Sequence, residues 1–433
     1  KTEYYLATVI NAYRNAIDDY MKDPENYDYT KYMKELEKVK TREFTTFYFN
    51  DRNNKNIQDL SGRQYNDKYE LMSGDIIITT VGSWPTNPAS VVGKVIKVPT
   101  DANNTLLNQN AVRVRSNSNI NQRYLYYLLK NETFKEYIVG TAQGSANQAS
   151  ITQEDIKNFE FELHPLEEQE KIANILSSLD DKIELNNEMN KTLEEMAQSI
   201  FKRWFVDFEF PNEDGEPYKS SGGEMVDSEL GMIPKGWEVV KLDDICTINN
   251  SSYSTKDNWD YINYLDTANM TKNKIDAIQY LDCKTDKIPS RAKRKVKKDS
   301  IIYSTVRPNQ LHYGIIQNPV ENMIVSTGFV TIDSKFDYIN TDFIYYWLTQ
   351  DENTEKLQAI GEKSTTAYPS IKPSDIKNMK LVISDKKIMN KINIILSNIN
   401  DQINHLMEEQ KNLIEIRDSL LPKLMSGEIN LSK

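Results

Sequence analysis

The sequence predicts an α+β protein: two mixed α/β globules joined by two long antiparallel helices that form a coiled-coil spacer, with a pseudo-twofold internal repeat. Three observations predict it. The nine residues SITQEDIKN at 150–158 return as SIKPSDIKN at 370–378. Behind each copy runs a long helical pattern with a single apolar stripe. Ahead of each lie a β-branched run and a short helix carrying paired tyrosines.

The long helices show the repeat most clearly. Shifted by 220 positions, KIANILSSLDDKIELNNEMNKTLEEM (171–196) aligns without a gap on KINIILSNINDQINHLMEEQKNLIEI (391–416). Ile172, Ile175, Leu176, Leu179, Ile183, Leu193, Met196 and Ile200 fall on Ile392, Ile395, Leu396, Ile399, Ile403, Leu413, Ile416 and Leu420. Steps of three and four place them on one helical face. Pro165 suits a first turn, where no N–H bond is due. About 40 residues at 1.5 Å each give roughly 60 Å of helix. Such a length with a narrow stripe asks for a helical partner. A generic coiled coil satisfies the pattern, but a duplicated stripe can be self-complementary, so the two helices are expected to pair with each other.

Upstream, SGDIIITTVGS (73–83) and KDSIIYSTVRP (298–308) read as strands. NINQRYLYYLLK (119–130) and YINTDFIYYWLT (338–349) read as amphipathic helices. Between the copies, residues 209–237 are rich in Pro, Gly, Ser and acid and read as a linker. The second copy opens on GWEVVKLDDICTI (236–248), a Trp-anchored strand and turn with no counterpart near 11–25. Residues 4–21 and 29–44 look helical instead. The expected order is an N-terminal helical segment without an assigned role (1–42), a first globule (43–164), a central long helix (165–208), a linker (209–235), a second globule (236–385) and a C-terminal long helix (386–433).

A chain of 433 residues has room for two to four domains. Its 39% hydrophobic and 27% charged residues fit a soluble protein, and no apolar run approaches the roughly 20 residues of a membrane span. No signal peptide is visible, which points to the cytoplasm. The chain opens on Lys1 and not on an initiator Met, which leaves its natural start open. Cys246 and Cys283 make neither a disulfide framework nor a metal motif. A net charge of −11 argues against a DNA packer coated in basic charge. It leaves room for one basic face.

Catalytic signals are missing. No Gly-rich phosphate loop is present, nor an Asn-Pro-Pro-aromatic or Asp-Pro-Pro-aromatic tetrapeptide that would hold a target amine. His164, His312 and His405 are scattered, which suits packing or surface roles and not a metal or triad. The DIK triplets at 155–157 and 375–377 have the acid-x-Lys form of some nucleases, yet no Pro-Asp partner precedes them. A helix-start acid is the expected role. No catalytic residue and no metal ligand is assigned.

The basic signal is local. KTDKIPSRAKRKVKK (284–298) holds eight Lys or Arg against one Asp, a net of +7 in an acidic chain. A solvated loop would account for it. Cations placed together also neutralise phosphates and release counterions, so Lys287, Arg291, Lys293, Arg294, Lys295, Lys297 and Lys298 are the candidate phosphate contacts. Just downstream, Arg307 and Gln310 have side chains able to read base edges. Polar loops at 63–69, 82–90, 140–150 and 361–370 supply the other candidate base readers: Arg63, Gln64, Trp84, Asn87, Gln143, Asn147, Thr365 and Tyr368. Finally, QSIFKRWFVDFEF (198–210) puts Phe201, Trp204, Phe205 and Phe208 near a helix end. These four rings are expected either in the protein's own core or exposed as an anchor for a partner subunit.

Residues 165–210, then GMIPKGWEVVKLDDI (231–245), and RDSLLPKLMSGEINL (417–431) resemble the specificity subunit of a type I restriction–modification system. The resemblance covers roughly residues 60–433, and the internal duplication is itself a family trait. Residues 1–50 depart from the pattern. The resemblance implies two target recognition domains, each reading one half of a split double-stranded DNA target. It implies that the helices space the half-sites and that the chain itself is not catalytic and carries no cofactor. The implied partners are two methyltransferase (modification) subunits, which use S-adenosylmethionine to methylate adenine N6. Restriction/translocase subunits, driven by ATP with Mg2+, are the others.

Two other readings are a helical scaffold that binds proteins without reading DNA, and the recognition part of a larger single-chain DNA methyltransferase. The +7 stretch has no purpose in the first. The absent methyltransferase motifs count against the second.

Overall fold

The computed structural model describes residues 69–431 apart from 88, 89, 118, 146, 147 and 364–368, so the helical readings of 4–21 and 29–44 lie outside the described residues. The chain forms two compact units, Lys1–Asn190 with His405–Lys433, and Lys191–Asn404. Among the described residues no helix is long and apolar enough to cross a membrane.

Unit 1 is built on a three-stranded antiparallel sheet in the order Val95–Lys97, Ile76–Thr79, Ala111–Val114. Ile76 and Ile78, two residues apart on the central strand, are fully buried, as a strand with one face on the core requires. Glu70–Leu71 pairs with Thr105–Leu106 beside it. Helix α1, Gln122–Lys130, starts where the Asn121 side chain accepts the amides of Arg123 and Tyr124. Helix α2, Glu132–Gly140, follows, and then a hairpin of Gln143–Ser145 and Gln148–Ser150. The second hairpin strand pairs with Val81–Gly82 and leads into the one-turn helix α3, Gln153–Lys157. The core joins Ile76, Ile78, Tyr124 and Phe134 to Ile172 and Leu176 of the long helix α4, Leu166–Phe205.

Unit 2 repeats this plan and extends it. Its hairpin Met225–Ser228 with Gly231–Pro234 lies inside the stretch that reads as a linker, and Phe210 stacks between Tyr218 (4.6 Å) and Trp237 (4.8 Å). Composition suggested a spacer there; MVDS and GMIP instead pair antiparallel across a two-residue turn. Glu238–Lys241 runs into the short helix α5, Leu242–Ile245. One sheet has the order Cys246–Ile248, Phe329–Ser334, Ser300–Ser304, Tyr313–Ile316, all antiparallel. A second has the order Gln279–Asp282, Tyr261–Leu265, Met323–Ser326, Ala292–Lys295. Helices α6 (Thr341–Leu348), α7 (Asp351–Glu362) and α8 (Pro373–Lys377) follow, then Lys380–Ile383 and the long helix α9, Lys386–Met425.

The repeat is therefore structural. Val95–Lys97, Ile76–Thr79 and Ala111–Val114 have the same order and sense as Tyr313–Ile316, Ser300–Ser304 and Phe329–Ser334. The repeated phrase does the same two things in each copy. Its isoleucine amide bonds back to the strand end, Ile151 to the Thr80 carbonyl at 2.9 Å and Ile371 to the Thr305 carbonyl at 2.8 Å. Its aspartate then caps one helical turn, Asp155 accepting from the Thr152 amide and Asp375 from the Lys372 amide, both at 2.7 Å. The DIK acids are helix-start acids.

The apolar stripes are buried at Ile172, Leu176, Leu193, Met196 and Ile200, and at Ile392, Leu396, Ile399 and Ile403. Ile175 and Ile416 are exceptions, 38% and 47% exposed. Within unit 1 the long helices run antiparallel: Asp180 meets Arg417, Lys182 and Asn186 meet Glu409, and Asn187 meets Gln410.

Candidate nucleic-acid interface

In each unit the loop after the Ile76–Thr79 or Ser300–Ser304 strand lies against the loop that precedes the repeated phrase. In unit 1 the Trp84 indole N–H donates to the Ser145 carbonyl at 2.6 Å, which ties its loop to the hairpin carrying Gln143. Gly144 is obligatory in that hairpin, because a Cβ there would collide with the Gln148 carbonyl. Asn87 and Gln143 are exposed, and the Asn87 amide donates to the Trp84 carbonyl at 2.9 Å. In unit 2 the Arg307 amide donates to the Pro369 carbonyl at 2.9 Å, and Val306 bridges Ser370. Arg307 has a left-handed backbone (φ 47°) and opens a 3-10 turn, Pro308–Gln310, that leaves Gln310 exposed. The structure thus brings Trp84 and Gln143 together, and Arg307 and Gln310 together. Arg63, Gln64, Asn147, Thr365 and Tyr368 lie outside the described residues.

The basic stretch becomes the strand Ala292–Lys295 and its flanks. Its first end adjoins the Arg307 loop through one turn. The Arg291 carbonyl accepts from the Thr327 amide (2.8 Å), and the Gly328 carbonyl accepts from both the amide and hydroxyl of Thr305 (2.8 and 2.9 Å). Lys297 and Lys298 lie past the other end, roughly 20 Å away at 3.3 Å per residue.

The seven cations are not equivalent. Lys295 is ion-paired with Asp257, lies over the Trp259 ring at 4.9 Å, and holds the Asp257 carboxyl below the usual carboxylate range. Lys297 approaches Asp333 at 3.8 Å. Lys287, Arg291, Lys293 and Lys298 are exposed and make no ion pair among the described residues. Among the described residues of unit 1, the corresponding pair, Glu70–Leu71 with Thr105–Leu106, carries no Lys or Arg. Elsewhere in that unit Arg115 pairs with Asp75, whose carboxyl is lowered because hydrogen bonds from Arg115 and the Met72 amide outweigh the opposing effect of burial.

Tyr253 and Trp259 were not singled out from the sequence. They stack at 5.2 Å beneath the basic strand, and Tyr253 gives its amide to the Lys293 carbonyl at 2.7 Å. Their separation from that strand by some 40 residues left no local signal.

The reading of Phe201, Trp204, Phe205 and Phe208 as an exposed anchor is corrected. All four are 9% exposed or less. Phe205 and Phe208 pack on Trp237 at 4.9 and 5.8 Å, and Phe201 and Phe205 on Phe343 at 5.2 and 4.8 Å. Their rings form the core that seats α6 and the Trp-anchored strand on α4.

Comparison with known proteins follows the same division into copies. The family model of the type I restriction modification DNA specificity domain matches residues 22–195 and again 234–416. The type I restriction enzyme MjaIX specificity subunit of Methanocaldococcus jannaschii is 30% identical over 317 residues, covering 72% of this chain and 69% of that protein. The HindI specificity subunit of Haemophilus influenzae is 24% identical over 442 residues, covering 86% and 90%. Among solved structures, the type-I restriction-modification system S subunit from M. genitalium aligns with a TM-score of 0.45 at 17% identity, over 84% of this chain and 86% of that one.

Proposed function

We propose, on the premise that this chain belongs to the family of type I restriction modification DNA specificity domains, that it reads a split double-stranded DNA target, one half-site per unit. A specificity subunit is not the catalyst of its system; it tells the catalytic subunits where to act. The chain would accordingly work in the cytoplasm with two modification subunits, which bring S-adenosylmethionine and methylate adenine. Restriction subunits would bring ATP and Mg2+. The helices α4 and α9 would serve as the spacer between half-sites.

The observation that carries this reading is the loop pair, built twice by the same hydrogen bonds on the same sheet order and filled with different side chains. Asn87 and Gln143 present one set of donors and acceptors, beside a Trp84 ring whose N–H is already given to Ser145; Arg307 and Gln310 present another. A repeated scaffold with divergent polar loops is what two readers of unlike half-sites require, since base edges are told apart by donor and acceptor pattern. The exposed cations Lys287, Arg291, Lys293 and Lys298 would hold phosphates, with Lys295 and Lys297 contributing less because Asp257 and Asp333 already engage them. This basic strand also disfavours a protein-only scaffold.

Co-expression with the methyltransferase encoded beside it, followed by genome-wide mapping of methylated adenines, tests the reading. The expected result is a split motif with a fixed gap. A stable complex that methylates nothing, or a continuous motif, would overturn it.

A further inference from the structure

Arg294 differs from the cations around it. It lies between Ser252 on one side and Val325 on the other. The pairing with Met323–Ser326 slips between Ala292 and Arg294, which makes Lys293 the extra residue of a bulge. Paired residues share a face of a sheet, and successive residues alternate. Ala292 and Ile324 pack with Ile262 and Tyr264. Val325 and Val296, the residue just past the end of the Arg294 strand, pack with Leu265, Ile302 and Phe329. Opposite Val325 and two residues before Val296, Arg294 is turned to this second face, away from Lys295 and its Trp259 ring. A regular strand would have put it on the other side.

The consequence is an arginine whose Nε is buried with no hydrogen-bond partner. No ion pair or hydrogen bond holds its side chain among the described residues, while its terminal amino groups are not buried. Buried donors are ordinarily satisfied, and this chain does not lack acids: its net charge is −11, and Lys284, Lys295 and Lys297 all find carboxylates. Nε is enclosed, and the terminal amino groups have no partner among the described residues. The planar guanidinium fork matches two adjacent acceptors and cannot be replaced by the point charge of a lysine.

We propose that Arg294 is a bidentate DNA contact that holds the second unit on its half-site. The proposal rests on the DNA-reading function above and assigns Arg294 a role separate from that of the flexible cations. DNA offers the matching acceptor pair in two places, guanine O6 with N7 in the major groove and the oxygens of a phosphate.

The test uses the full chain co-expressed with its modification subunits, comparing wild type with Arg294→Lys, Arg294→Met and Lys293→Ala by methylation mapping and by duplex binding across salt concentrations. With a guanine as the acceptor, both Arg294 variants relax the target at one base pair of one half-site, by roughly tenfold or more in discrimination, whereas Lys293→Ala, which removes a phosphate contact, weakens all sites evenly and lowers the salt slope. With a phosphate, the variants weaken all sites evenly and keep the target. Arg294→Met then lowers the salt slope by about 0.9, while Arg294→Lys keeps the slope yet fails to restore affinity. Should both variants keep wild-type target, affinity and salt slope, Arg294 only fills the rim between the sheets and the proposal fails. Arg294→Lys retains the stem and the charge, so it carries the test even if Arg294→Met folds poorly. A wild-type complex with no split target would sink the underlying reading before any variant is compared.

Discussion

The two units solve the same junction with opposite electrostatics. In unit 1, Tyr127 of α1 donates its hydroxyl to Asp180 of α4 at 2.8 Å, and Arg417 of α9 donates to the other oxygen of that carboxylate at 2.7 Å. In unit 2 the equivalent Tyr346 of α6 donates to Asn400 of α9, the position 220 residues after Asp180. Here the carboxylate comes from elsewhere: Glu194 of α4 accepts from Tyr345 at 3.2 Å and lies 3.4 Å from the Tyr346 hydroxyl. Unit 1 thus matches its acid with a guanidinium, while unit 2 surrounds its acid with hydroxyl and amide donors. The fold demands an acceptor for the short helix's tyrosine. It does not dictate the charge, and the cost of burying an acid falls on unit 2.

The largest expected effect comes from breaking the charge match. Arg417 and Asp180 have side chains only 14% and 15% exposed. Arg417→Met leaves the carboxylate without its cation and should destabilise unit 1 by about 2–3 kcal/mol. Adding Asp180→Asn recreates the amide acceptor of unit 2 and should recover most of that loss. Hydrogen exchange resolved by segment gives the readout, with amides of 122–130 losing protection and those of 341–348 keeping it. Equal losses in both segments would break the comparison.

A smaller effect of opposite sign belongs to Glu194. Burial raises its carboxyl above the usual range, and the donors Tyr345, Tyr346 and Gln198 only partly offset this. The folded state therefore holds the proton more tightly than the unfolded one. That contribution is fully present below the unfolded pKa of about 4.3 and is lost as pH rises through the folded value. Glu194→Gln removes the penalty, so it should stabilise unit 2 by on the order of 1 kcal/mol at neutral pH. The gain should shrink toward zero on acidification. Thermal melts of both proteins from pH 4 to pH 8 decide it: a gain that persists at the acid end would show that packing, not ionisation, separates Glu194 from Asp180.

This difference also marks where the sequence stops being legible. The duplication, the stripes and the paired tyrosines could be read directly, because Ile172, Leu176, Ile392 and Leu396 answer to local helical spacing. Glu194 looks like any other acid in a charged helix, since only the arrival of Tyr345 from 151 residues away buries it. The rings of Phe201, Trp204, Phe205 and Phe208 gave an equivocal signal for the same reason: Trp237 and Phe343, which cover them, are distant in the chain. At the interface, charge clustering was visible at 284–298, but sorting Lys295 from Lys293 needed Asp257, and the orientation of Arg294 follows from a bulge that no pattern announces. The folded hairpin at 225–234 was masked by the Pro and Gly content of its surroundings.

The smallest expected effect concerns the part the units share. Asp155 and Asp375 make the same bond at 2.7 Å, but their surroundings differ. In unit 1 the Thr152 hydroxyl also accepts the Asp155 amide at 3.1 Å, completing a capping box. In unit 2 the cap residue is Lys372, whose side chain has no acceptor, and Pro373 fixes the first turn instead. Asp155→Ala and Asp375→Ala should each cost about 1 kcal/mol. Thr152→Ala should add a further loss of about 0.5–1 kcal/mol in unit 1, whereas Lys372→Ala should cost nothing measurable. Exchange rates of the amides at 153–158 and 373–378 read both turns in one protein. Matching losses from the two aspartates would locate the reason for the repeated phrase in the turn itself. A loss confined to one copy would mean that the other keeps its aspartate for a partner beyond that turn.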